Sequence, residues 1–151
     1  MLTRRSLILA APALGTAALL ARPAHAAEPE IFAVNGVAIH GVDPLGYHET
    51  AGIVTGTEDA AVQWRGAEWR FASEAQRAAF QADPDRWAPA FGGYCAFAAS
   101  RGYLAPTIPE AWTVYEGRLY LNATLRAREL WLRDVPGNIA KGEANWPGIL
   151  G

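Results

Sequence analysis

Apolar and polar positions alternate from Val62 to Phe71, with one break in the middle. Val62 and Trp64 share one strand face, Gly66 turns the chain, and Trp69 and Phe71 share a face on the return, with Arg65 and Arg70 pointing outward. That pattern predicts an antiparallel hairpin. Ser73 followed by Gln76 forms a capping box and predicts a helix to about Ala82. Asp83-Pro84 ends that helix and caps a short one through Trp87. The same order returns about fifty residues later. Glu116-Gly117 makes a two-residue turn; Trp112, Val114, Leu119 and Leu121 fall on one face, and Thr113, Tyr115, Arg118 and Tyr120 on the other. Asn122 or Thr124 caps a helix carrying Leu125, Leu130 and Trp131, and Asp134-Val135-Pro136 stops it.

Upstream, Asn35-Gly36 between two apolar runs predicts a further hairpin, because both residues tolerate positive φ. Asp43-Pro44 reads as an N-cap with proline at the first helical position. The tail "IAKGEANWPGIL" reads as an extended segment whose Trp146 docks on the domain. The fold class expected is α+β: a small single domain of antiparallel hairpins with short helices packed over them, in two hairpin–helix units.

The first 26 residues change the picture of where the domain begins. Arg4-Arg5, an apolar run from Leu7 to Leu20 and Ala24-His25-Ala26 have the order of a bacterial export peptide cut after Ala26. "TRRSLIL" resembles the twin-arginine signal, which implies export of a folded protein; an ordinary Sec signal is the alternative. The run is too short and too rich in Ala, Gly and Pro for an anchor, so no stable membrane span is expected after cleavage. Residues 27–151 then form the domain, periplasmic or secreted. Losing Arg4, Arg5 and Arg22 from 13 basic residues deepens the excess of 15 acidic ones. A mildly acidic domain argues against nucleic acid as a partner. Six Trp, five Tyr and five Phe supply a core without disulfides, and Cys95 has no second cysteine to pair with.

No phosphate loop, G-x-S-x-G elbow, H-E-x-x-H or C-x-x-C occurs, so His or Cys chemistry in the domain rests on His40, His48 and Cys95. Cys95, in "GGYCAFAAS", has two readings: a soft thiolate ligand suited to Cu(I) or Zn(II), or a small buried hydrophobe among Ala96, Ala98 and Ala99. His40 and His48 straddle the Asp43-Pro44 break, and no strand or helix period sets them on one face. His48 on a helix face near Cys95 is a candidate ligand. Asp43 is another, although capping before Pro44 accounts for it. The tryptophans suit a core better than a carbohydrate site.

"WRFASEAQRAAFQADPDRW" resembles the YHS domain, whose pattern is an aromatic pair, Phe-Cys-Ser, a second Cys, then Phe, Asp-Pro and an aromatic. Phe71, Ser73, Phe80, Asp83, Pro84 and Trp87 stand in those places. "HGVDPLGYHETAG", "FGGYCAFAAS" and "DVPGNIAKGEANWP" resemble the exported, single-domain YHS proteins of bacteria, so the likeness spans nearly all of residues 38–147. The resemblance implies transition-metal binding, copper above all, but Ala72 and Gln76 stand where metal-linked relatives carry cysteines. Any site here must therefore be anchored by Cys95, with His48, His40 or Asp43. Three functions follow as expectations: a non-enzymatic copper-binding domain; a metal-free structural or protein-interaction module with Cys95 buried; or a thiol enzyme using Cys95 with His48 as base.

Overall fold

Two-residue turns organise the chain. At Asn35-Gly36, Arg65-Gly66 and Glu116-Gly117 both residues take positive φ, between 48° and 81°, the conformation that matches the twist of antiparallel strands. The computed structural model describes residues 26–151; the expected export peptide, up to His25, lies outside them. The first turn joins β1 (Ala33–Val34) to β2 (Val37–Ala38), the second joins β3 (Thr57–Trp64) to β4 (Ala67–Phe71), and the third joins β5 (Trp112–Tyr115) to β6 (Arg118–Leu121). One sheet runs β1-β2-β4-β3 and the other is the β5-β6 hairpin. All three hairpins are antiparallel, as expected; one parallel contact, Val37 beside Glu68, links β2 to β4.

Six α-helices complete an α+β domain: α1 (Pro44–Glu49), α2 (Glu74–Ala82), α3 (Pro84–Trp87), α4 (Ala96–Ser100), α5 (Leu125–Leu132) and α6 (Val135–Asn145). Asp43 caps α1 through its side chain and Ser73 caps α2, both as expected. Between the alternatives for α5, Thr124 is the cap: its hydroxyl accepts from Ala127 N at 2.9 Å. Asp83 sits at the start of α3 but makes no capping hydrogen bond with its side chain.

Two expectations change. The segment read as an extended tail is helix α6, because Asp134 starts a helix as well as following one: its Oδ1 accepts from Gly137 N at 3.1 Å, and Pro136 sits in the first turn. Gly142, a poor helix former, belongs there because the helix lies against Phe91; a Cβ at 142 would come within 2.6 Å of Phe91 Cζ. Trp146 does dock, beside Phe91 and Tyr94. Leu125 is 60 % exposed and contributes nothing to the core. The face of β5-β6 that carries Tyr115 and Tyr120 is covered, as is the opposite face.

Two apolar clusters result. The first gathers Trp69, Phe71 and Phe80 with Leu45, Tyr47, Leu119 and Leu121. The second gathers Tyr120 and Trp131 with Phe91, Ala96 and Ala99, and Trp146 packs against it. Strand β6 lies between them, sending Leu119 and Leu121 into one cluster and Tyr120 into the other.

The two hairpin–helix units correspond residue for residue at an offset of 51. Val62 pairs with Trp69, and 51 positions later Thr113 pairs with Tyr120; Trp64 with Ala67 becomes Tyr115 with Arg118. The caps Ser73 (φ −150°, ψ 164°) and Thr124 (φ −149°, ψ 164°) share a conformation, as do Asp83 (φ −154°, ψ 75°) and Asp134 (φ −151°, ψ 75°). Trp69 lies on Phe80 with centroids 5.2 Å apart, and Tyr120 lies on Trp131 at 5.0 Å. The correspondence extends upstream with one residue of slippage. The left-handed turn at Ile39–Gly41 matches the one at Phe91–Gly93, and Asp43 (φ −70°, ψ 113°) matches Cys95 (φ −60°, ψ 118°).

Candidate functional site

Each unit has a joint where the short helix after the left-handed turn meets the end of the hairpin's return strand. In the first unit the joint is made by Asp43, which is fully buried. Its Oδ1 accepts from Leu45 N at 2.9 Å and its Oδ2 from Ala72 N at 2.9 Å, just past β4. Burial pushes the Asp43 carboxyl above the ordinary carboxylate range; the two backbone donors pull the other way. The loop after α1 closes on the same place, with Asp43 N donating to Val54 O at 2.8 Å and Gly56 N to Gly41 O at 2.9 Å.

The second joint is built at the equivalent positions with different side chains. Cys95 N donates to Ala105 O at 3.0 Å, and the Thr107 hydroxyl donates to Gly93 O at 2.7 Å. The helix amide that corresponds to Leu45 is Phe97, and it donates to Asn122 Oδ1 at 3.0 Å. Asn122 lies just past β6, so here the strand end reaches the helix, whereas in the first unit the cap residue reaches the strand. Cys95 caps α4: its Sγ accepts from Ala98 N at 3.5 Å, and its S–H donates to Asn122 Oδ1 at 3.5 Å. The thiol is buried. Asn122, read from sequence as a possible helix cap, is thus a buried tie between two elements. Only the offset between the units gives it away beforehand, since it falls 51 positions after the core residue Phe71.

The histidines lie elsewhere. His40 occupies the left-handed turn at φ 60°; its Nε2 donates to Thr107 O at 2.7 Å, and its ring meets Phe32 edge-on at 5.4 Å. His48 is in the last turn of α1, its ring edge-on to Trp87 at 5.3 Å. Its Nε2 is buried without a hydrogen-bond partner, and burial pushes its pKa below the ordinary imidazole value. Neither imidazole is a partner of Cys95 Sγ.

The donors nominated for a copper site anchored by Cys95 are mostly engaged elsewhere, His48 Nε2 excepted. Both Asp43 oxygens receive backbone N–H groups, His40 presents an N–H to a carbonyl, and Cys95 shares its sulfur with Ala98 and Asn122. Among the described residues no three His, Cys, Asp or Glu side chains gather as a metal site. At the two positions where cysteines would stand, Ala72 uses its N–H on Asp43, and Gln76 accepts from the Ser73 hydroxyl at 2.7 Å.

A cleft of about 580 Å³ opens on one side of the molecule. Residues 28–33 line it together with the turns at Gly36 and Gly66, Tyr94 and Ala105-Pro106. The Tyr94 hydroxyl donates to Pro29 O at 2.8 Å and Arg65 pairs with Glu30 at 3.0 Å, which ties that segment down. Among the described residues no helix is long and apolar enough to cross a membrane. Comparison with family models, with curated proteins and with solved structures found no match.

Proposed function

We propose that the chain is an exported, non-enzymatic domain of the YHS kind that serves as a protein-interaction module, with Cys95 a structural thiol. The observation that carries this reading is the fate of Cys95. It fills the place that Asp43 fills in the first unit, buried and hydrogen-bonded at a joint between a helix and a strand. A nucleophile needs access and a base, and a metal ligand needs neighbours of its kind. Cys95 has Asn122 and Ala98 instead. The open cleft lined by residues 28–33 is the surface we assign to recognition.

Competition titration of Cu(I) against a chelator tests the reading on the purified, reduced protein, alongside Cys95→Ala and His48→Ala. Equal, weak binding by all three is expected. A stoichiometric complex that Cys95→Ala abolishes would overturn the structural role and restore copper binding through Cys95 and a histidine.

A further inference from the structure

Two N–H donors in the second unit are buried with no partner: Asn122 Nδ2 and Trp131 Nε1. Both residues are wholly inaccessible to solvent. The amide of Asn122 cannot simply be turned round, because its oxygen receives Phe97 N–H at 3.0 Å, and a flip would set two donors against each other. Trp131 is likewise fixed, its ring tilted against Tyr120 with centroids 5.0 Å apart and its own carbonyl receiving Asn138 Nδ2 at 2.9 Å.

The correspondence between the units says which residues these donors replace. Fifty-one positions before Asn122 and Trp131 stand Phe71 and Phe80, packed ring on ring with centroids 5.0 Å apart. Asn122 and Tyr120 alternate along one face of the strand, as Phe71 and Trp69 do, and that face meets the helix that carries Trp131. The first unit is apolar at this contact: of its two indoles there, Trp69 donates to Trp64 O at 3.1 Å, and Trp64 packs edge-on against Phe80 at 5.5 Å. The second unit has Asn122 for Phe71 and Tyr120 for Trp69, both smaller, and Trp131 for Phe80, which is larger; Asn122 and Trp131 supply two donors in place of two apolar rings. Buried donors of native proteins find an acceptor, in protein or in ordered water, and a buried water makes about two to four hydrogen bonds.

We infer that the second unit encloses a binding site for one small hydrogen-bond acceptor, an internal water, held between Asn122 Nδ2 and Trp131 Nε1. The site rests on the duplicated architecture and stands independently of the functional reading above.

Nuclear Overhauser and rotating-frame spectra of the purified protein read the site directly. Cross-peaks of dipolar sign are expected between the water resonance and both the Trp131 indole proton and an Asn122 amide proton. Trp131→Phe, which keeps a ring and removes the donor, should abolish or strongly reduce the peak at Asn122. A wild-type protein with no such peaks at either proton would overturn the inference. So would an Asn122 peak that survives Trp131→Phe at full intensity, because the acceptor would then not be shared.

Discussion

Asp43 and Cys95 occupy the same place in two copies of one structural unit, and they hold it by opposite means. The Asp43 carboxylate takes two backbone N–H groups, one from its helix and one from the strand end. Cys95 leaves the longer reach to Asn122 and keeps only weak contacts through sulfur.

The two joints should therefore respond unequally to truncation. Asp43→Ala strands the buried Leu45 N–H, frees the part-buried Ala72 N–H and removes a helix cap, so a loss of about 2–3 kcal/mol is expected. Cys95→Ala removes two long sulfur contacts and a little buried volume, for a loss of about 1 kcal/mol. Urea unfolding of both variants checks the order; equal losses would contradict it.

Serine caps helices better than cysteine, and the geometry at Cys95 already places the side chain over Ala98 N. Cys95→Ser should match the parent or exceed it by up to about 1 kcal/mol. The parent thiol, being buried, should stay silent toward an aromatic disulfide reagent until the protein unfolds. Rapid labelling of the folded protein would count against the structural role.

His48 makes stability depend on pH. Desolvation is the main cause of its lowered pKa, with the Arg86 charge adding to it and a backbone hydrogen bond with Trp87 opposing it. The unfolded chain then takes up the proton at higher pH than the folded one. Stability is full above the ordinary value of 6.5 and falls as pH drops through the lower, folded value. Melts between about pH 7.5 and about pH 5.5 should show Tm falling in the parent and a flatter profile in His48→Gln. Parallel profiles would remove His48 from the account.

Gly142→Ala should cost about 1–3 kcal/mol despite alanine's higher helix propensity, because the new methyl meets the tip of the Phe91 ring. A neutral or stabilising result in thermal melts would mean that α6 can shift away from Phe91.

What could be read in advance was whatever short-range chemistry determines. The three turns depend on adjacent residues that accept positive φ, and the Ser73 and Thr124 caps on a hydroxyl just before a helix. Helix α6 was hidden because Asp134-Val135-Pro136 serves equally as a stop and as a start, and because Gly137 and Gly142 lower helix propensity for reasons that only packing reveals. The burial of Tyr120 and Asn122 was hidden for a related reason: alternation separates two faces without saying that both are covered. The equivalence of Asp43 with Cys95 was obscured by chemistry, since an acid and a thiol share no propensity, and by the single residue lost between the two loops.

Strand β6 is a party wall. Leu119 and Leu121 serve one cluster and Tyr120, between them, serves the other, so neither half can be taken down without exposing its neighbour. Although the chain is built as two copies, it should melt as one body, and a chain cut in the loop between Arg101 and Pro109 should yield no half that stays folded by itself.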